Sequence, residues 1–124
     1  MNSESILDST KKTLGLVPEY DVFDLDIVMH INTVFFTLNQ LGIGPAEGYS
    51  IQDEHDEWST FLGTDPLLNS VKSYMYLRVK LLFDPPDRSY VLEALKQQIQ
   101  ELEWRLSAYR ESKITTTVTL VSDT

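Results

Sequence analysis

The residues of this 124-residue chain with the strongest claim to chemistry stand in one run: Asp53, Glu54, His55, Asp56 and Glu57. Carboxylates beside a histidine suit two tasks, holding a divalent cation through hard oxygen ligands or moving protons near neutral pH. Both tasks need side chains that converge on one point. Neighbours on a helix diverge, and the chain has no His-x-x-x-His pair to meet on an ion. Acidic residues also belong in the first turn of a helix, at the positive end of its dipole. The run is therefore read as the start of a short helix over Gln52–Leu62, with Trp58, Phe61 and Leu62 inward and Gly63 as its stop. His30, alone on an apolar stretch, is read as a hydrogen-bonded core or interface histidine. Gly42, Gly44 and Gly48 lack both the following Lys-Ser/Thr and the preceding strand of a phosphate loop, so a helix C-cap and loop explain them. The serines sit in no nucleophile elbow, and there is no cysteine to make a disulfide, a thiolate or a zinc site. No catalytic, cofactor-binding or metal residue is assigned, no cofactor is expected, and the chain is not read as an enzyme.

With chemistry set aside, composition narrows the class. The length suits one domain, and a hydrophobic fraction of 42% is enough for a core and too high for a disordered chain. No apolar run approaches a bilayer span, so no membrane partner is expected. The start, MNSESILDSTKK, lacks the basic and apolar regions of a signal peptide, which makes folding in the cytoplasm the default. A formal net charge of -9 argues against a non-specific nucleic-acid binder. It is compatible with a wall past which a polyanion slides, and equally with acidity for solubility alone.

The elements are organised around DPLLNSVKSYMYLRVKLLFDPP, Asp65 to Pro86. Asp65 is an N-cap type, Pro66 suits the first helical position, and Pro85 and Pro86 end the run. Leu67, Val71, Tyr74, Arg78 and Leu81 recur at helical spacing, widened by Leu68, Met75 and Leu82. This predicts a central core helix of about 17–19 residues, with Lys72, Arg78 and Lys80 as a basic edge. Before it, residues 3–14 predict a short helix capped by Ser3 or Ser5 and closed at Gly15. Lys11 and Lys12 in its last turn suit the dipole.

Asp24 then caps a second main helix, Leu25 to Leu41. Ile27, Ile31, Val34, Phe35, Leu38 and Leu41 form one face, while Leu25, Val28, Met29 and Phe36 form much of another. A helix apolar on nearly all sides is buried either by its own domain or by other subunits. A short extended piece is expected at Tyr49–Ile51. The last and longest helix opens at Asp87 or Ser89, with Leu92, Leu95, Ile99, Leu102, Leu106 and Tyr109 as its seam. Trp104 lies off that seam, so it widens the core face or marks a contact with another chain.

Lys113 to Val121, KITTTVTLV, changes character. Ile114, Thr116, Val118 and Leu120 alternate with Thr115, Thr117, Thr119 and Val121, which reads as a strand with no partner in its own chain. Either it is a disordered tail, or it adds to a sheet supplied by another copy or another protein. The fold class is therefore mainly α, a small bundle of about four to five helices with a C-terminal extended strand or tail. Residues 1–112 form the helical domain, and 113–124 a β-prone tail for inter-subunit or partner contact. Met29, Phe36, Trp104, Ile114, Val118 and Leu120 are the interface candidates.

The order VKSYMYLRVKLLFDPP, then an amphipathic helix carrying ELEWRL, resembles the head–tail connector (adaptor) proteins of the neck of long-tailed bacteriophages. INTVFFTLNQLGIGPAEGYSI and EWSTFLG also look like that family, and the resemblance covers about residues 4–108. It implies a helical bundle that assembles as a ring, commonly a dodecamer, beneath the portal protein. Such a ring extends the channel for passing double-stranded DNA and presents a docking surface to the next neck or tail-completion protein. It also implies a place in the virion neck after assembly in the bacterial host cytoplasm. The alternative from the residues alone is a cytoplasmic helical interaction module with a regulatory role, a dimer on the seam of the last helix. A small metal-dependent enzyme built on the acidic run near His55 stands third.

Overall fold

The computed structural model describes residues 4–122, with side chains described through Arg110. Five helices follow one another: α1 (Ile6–Thr13), α2 (Asp24–Gln40), α3 (Trp58–Leu62), α4 (Leu68–Phe83) and α5 (Ser89–Ser122). The strand expected over 113–121 is not formed: α5 continues as helix to Ser122, while the side chains of Ile114, Val118 and Leu120 lie outside the described ones.

Each helix begins or ends for a local reason. Ser5 caps α1, its Oγ accepting from the Asp8 N–H at 3.1 Å. At the other end the Leu16 N–H donates to the Lys11 carbonyl and the Gly15 N–H to the Lys12 carbonyl, the paired bonds of a Schellman closure. The same closure ends α2, with Ile43 donating to Leu38 and Gly42 to Asn39. Gly42 takes the positive φ of 81° that this turn needs. Asp65 works as expected on α4, but from one turn outside: its Oδ1 accepts from Leu67 and its carbonyl from Leu68. Pro85 and Pro86 follow the last helical residue, Phe83.

α4 is the central helix, packed against α1, α2 and α5. It runs antiparallel to α2, whose entry residues Phe23 and His30 meet Phe83 at its far end, with ring centroids 5.3 and 6.4 Å apart. Val71, Tyr74, Met75 and Val79 are its buried residues. The buried line thus runs through Val79, whereas Arg78 and Leu81 of the expected stripe are only half covered and Leu82 is exposed. On α5 the expected seam holds as far as Leu106: Leu95, Ile99 and Leu106 are buried and Leu92 and Leu102 half-buried, whereas Tyr109 is exposed.

The core widens at one end into an aromatic cluster. Phe35 lies 4.7 Å from Phe61, 5.0 Å from Tyr49 and 6.1 Å from Trp58, centroid to centroid. Such offset and edge contacts add to area burial. Gly44 passes over this cluster so closely that a Cβ there would fall 2.4 Å from the Phe61 ring. That close approach, not a ligand, accounts for the glycine.

Two differences from the sequence reading matter for the site. The helix expected over Gln52–Leu62 begins only at Trp58. Residues 52–57 are held in a turn, because the Asp56 carboxylate accepts from the Gln52 and Asp53 N–H groups at 2.7 and 3.2 Å. The turn also answers to α1: Ile6 N–H donates to the Asp56 carbonyl, Trp58 N–H to Glu4, and Ser5 and Glu57 form an isolated antiparallel bridge. The second difference is Lys11. It stands in the last turn of α1, as the sequence reading has it, but is fully buried, which the reading did not foresee.

Candidate functional site

The acidic run gathers no site. Asp53, Glu54 and His55 are exposed, His55 at 83%, with only Glu54 near its ring at 3.5 Å. Asp56 spends its carboxylate on the backbone of its own turn. Among the described residues no group of three or more His, Cys, Asp or Glu side chains is arranged to hold a metal ion. His30 is half-buried with its ring edge to Phe83, as a packing residue.

Polar work inside the bundle is positional. Asn32 binds the Ile51 backbone twice, donating from Nδ2 to its carbonyl at 3.0 Å and accepting from its N–H at 2.8 Å. Asn39, two turns on, donates to the carbonyls of Pro45 and Ala46. These two amides fasten the 42–51 connection along α2; Tyr49–Ile51, expected to be extended, forms no strand. The buried Trp58 indole N–H donates to Ser9 Oγ at 3.0 Å. Tyr74 joins α4 to α5 through a 2.6 Å bond from its hydroxyl to Glu103, and Arg78 stands 3.6 Å from the same carboxylate oxygen. Burial pushes the Tyr74 hydroxyl well above its ordinary value, and the bond to Glu103 pushes it further. A phenol held so firmly neutral is a tie, not a proton shuttle.

What the fold leaves unused is apolar surface. α2 buries Ile27, Ile31, Val34, Phe35 and Leu38. Its other face, Leu25, Met29 and Phe36, stays exposed at 75, 60 and 64%. The spacing of four and seven residues puts these three on one stripe. Val22 and Tyr20, just before the helix, are exposed too. Trp104 is 71% exposed on α5, with Tyr90 and Val91 also uncovered near that helix's start. The α2 stripe and the α5 surface flank α4 separately, since both helices pack on α4 and have no comparable packing on each other. Met29, Phe36 and Trp104, the interface candidates read from the sequence whose side chains are described, are exposed. The sequence reading passed over Leu25 as an interface residue, although Leu25 shares their periodicity. Lys11, Asn32 and Asn39 left no signal, because a single polar residue does not announce the backbone it will bind.

A helical bundle with its polar groups committed to its own backbone and large apolar faces left open is the form of a protein that works by assembly. The comparison with protein families gives that form its place: a family model described as phage connector protein matches residues 6–113. The chain belongs to the phage connector family, a family of structural proteins acting where phage head meets tail. No curated protein and no solved structure matches it. No helix among the described residues is long and apolar enough to cross a membrane.

Proposed function

We propose that the chain is a virion neck protein that assembles copy to copy into a closed ring beneath the portal protein. The ring extends the passage for double-stranded DNA and offers its free rim to the next neck or tail-completion protein. The observation that carries this reading is the pair of separate apolar surfaces on one small bundle, the Leu25–Met29–Phe36 stripe of α2 and the Trp104 surface of α5. A surface meeting its own copy gives a two-fold pair and stops there. Two different surfaces meeting head to tail repeat, and close when the rotation allows. The charge of -9 supports a channel wall that does not hold DNA. Residues 113–124, with Ile114, Val118 and Leu120 among them, supply a further contact to a neighbouring copy or partner.

Incubation with purified portal, followed by electron microscopy, tests the reading. The expected result is a ring of this protein seated on the portal, lost in Met29→Glu/Phe36→Glu while the variant keeps its helical circular dichroism and melting temperature. A variant that still builds the ring would remove the α2 stripe from the interface. Binding of the wild type as isolated monomers would remove the ring.

A further inference from the structure

The connection between α1 and α2 is held in an unusual way. Val17, Pro18, Glu19, Tyr20, Asp21 and Val22 all expose their side chains. The segment's ends are fixed: Leu16 rests on the core behind the α1 closure, and Phe23 stacks edge-on against Phe83. Among the described residues its middle has one buried hold, besides the edge contact of Tyr20 with Phe23 at 6.0 Å. Lys11, wholly buried, sends its ammonium between the Pro18 carbonyl at 2.9 Å and Asp24 Oδ1 at 2.8 Å. A buried ammonium is costly unless it is paired and hydrogen-bonded, and this one is both.

Against that hold stands repulsion. Asp8 of α1, Glu19 and Asp21 of the segment, Asp24 of α2 and Glu54 of the 52–57 turn line one cleft with Pro18. Burial raises the Asp8 carboxyl above its usual value, Lys11 opposes the rise, and Glu54, Asp24 and Glu19 add to it. Closing the segment therefore brings Glu19 and Asp21 towards three other carboxylates.

We propose that residues 17–22 are a strap clasped by Lys11, whose opening is set by ionic strength. The exposed carboxylates are screened by salt, whereas the buried Lys11 pair is screened far less. Added salt thus removes the force that opens the strap and spares the force that closes it. The strap carries the exposed Val17, Tyr20 and Val22, so its state changes how that apolar surface is presented. This inference rests on the fold alone and stands or falls independently of the ring.

Hydrogen exchange of the purified protein, read peptide by peptide, tests it. The strap amides are expected to exchange more slowly at about 0.5 M than at about 0.02 M NaCl, while peptides of α4 are unchanged. Lys11→Met should speed strap exchange by about tenfold or more, the consequence of losing a charged hydrogen bond, again sparing α4. Glu19→Gln/Asp21→Asn, which leaves the clasp intact, should slow it and abolish the salt dependence. Strap exchange indifferent to salt in the wild type, or unaltered salt dependence in the double variant, overturns the proposal. So does a Lys11→Met protein in which α4 loses protection in step with the strap, since Lys11 would then hold the whole fold and not the strap.

Discussion

At the scale of single residues, ionisable side chains in this protein hold structure, and their titration should appear as stability. Tyr74 has its hydroxyl far above the ordinary value of 10.0, first through burial and then through Glu103. A group raised in the folded state contributes stability below its unfolded value, and that contribution is lost as pH rises through the folded one. Ultraviolet titration should therefore show tyrosines that resist ionisation until the chain unfolds, one fewer in Tyr74→Phe, where the raised Tyr49 and Tyr76 remain. The same substitution should cost about 1.5–3 kcal/mol in denaturant unfolding, the range for a hydrogen bond to a charged group. Asp8 is also raised, chiefly by burial. Its charge works against the fold once pH has passed the raised value. Asp8→Asn should then compare better with the wild type near pH 7 than near pH 3, by denaturant midpoint; the reverse order would contradict the assignment.

At the scale of elements, α4 sets the architecture. Met75→Ala on its buried line should cost about 2–5 kcal/mol. Leu82→Ala, on the exposed side of the same helix, should fall within about 0.5 kcal/mol of wild type. Equal losses in chemical unfolding would mean the wrong face has been assigned to the core. The contrast also marks what was legible in the sequence. The five helices were readable because prolines, glycines and apolar spacing agree at their boundaries, as at Asp65, Pro85 and Gly42. The seam of α5 and the outward stripe of α2 were readable because a helix repeats its faces.

The 52–57 turn was misread because Asp56 and Glu57 look the same in a helix start as in a turn. The deciding partners, Glu4, Ser5 and Ile6, lie some fifty residues away. The burial of Lys11 left no signal for the same reason: its partners Pro18 and Asp24 come from chain whose path only the fold fixes. A corollary separates the acidic residues. Asp56→Ala should lower the melting temperature by releasing two backbone N–H groups, whereas Asp53→Ala/His55→Ala should change it little; equal shifts would contradict the role given to Asp56.

At the scale of the whole molecule, a small acidic bundle presents apolar faces on α2 and α5 that the described residues do not cover. Membership of the phage connector family makes assembly the natural use of such faces. The central claim is that the two faces meet each other from copy to copy. Mixing two crippled partners tests it: Met29→Glu/Phe36→Glu keeps only the α5 face, and Trp104→Glu keeps only the α2 face. Each alone should fail to join its own copies on the portal. Mixed in equal amounts, they share one sound junction, and native mass spectrometry should find one-to-one pairs and no closed ring. A mixture that rebuilds the full ring, or pairs formed by Trp104→Glu with itself, would contradict head-to-tail assembly through these faces.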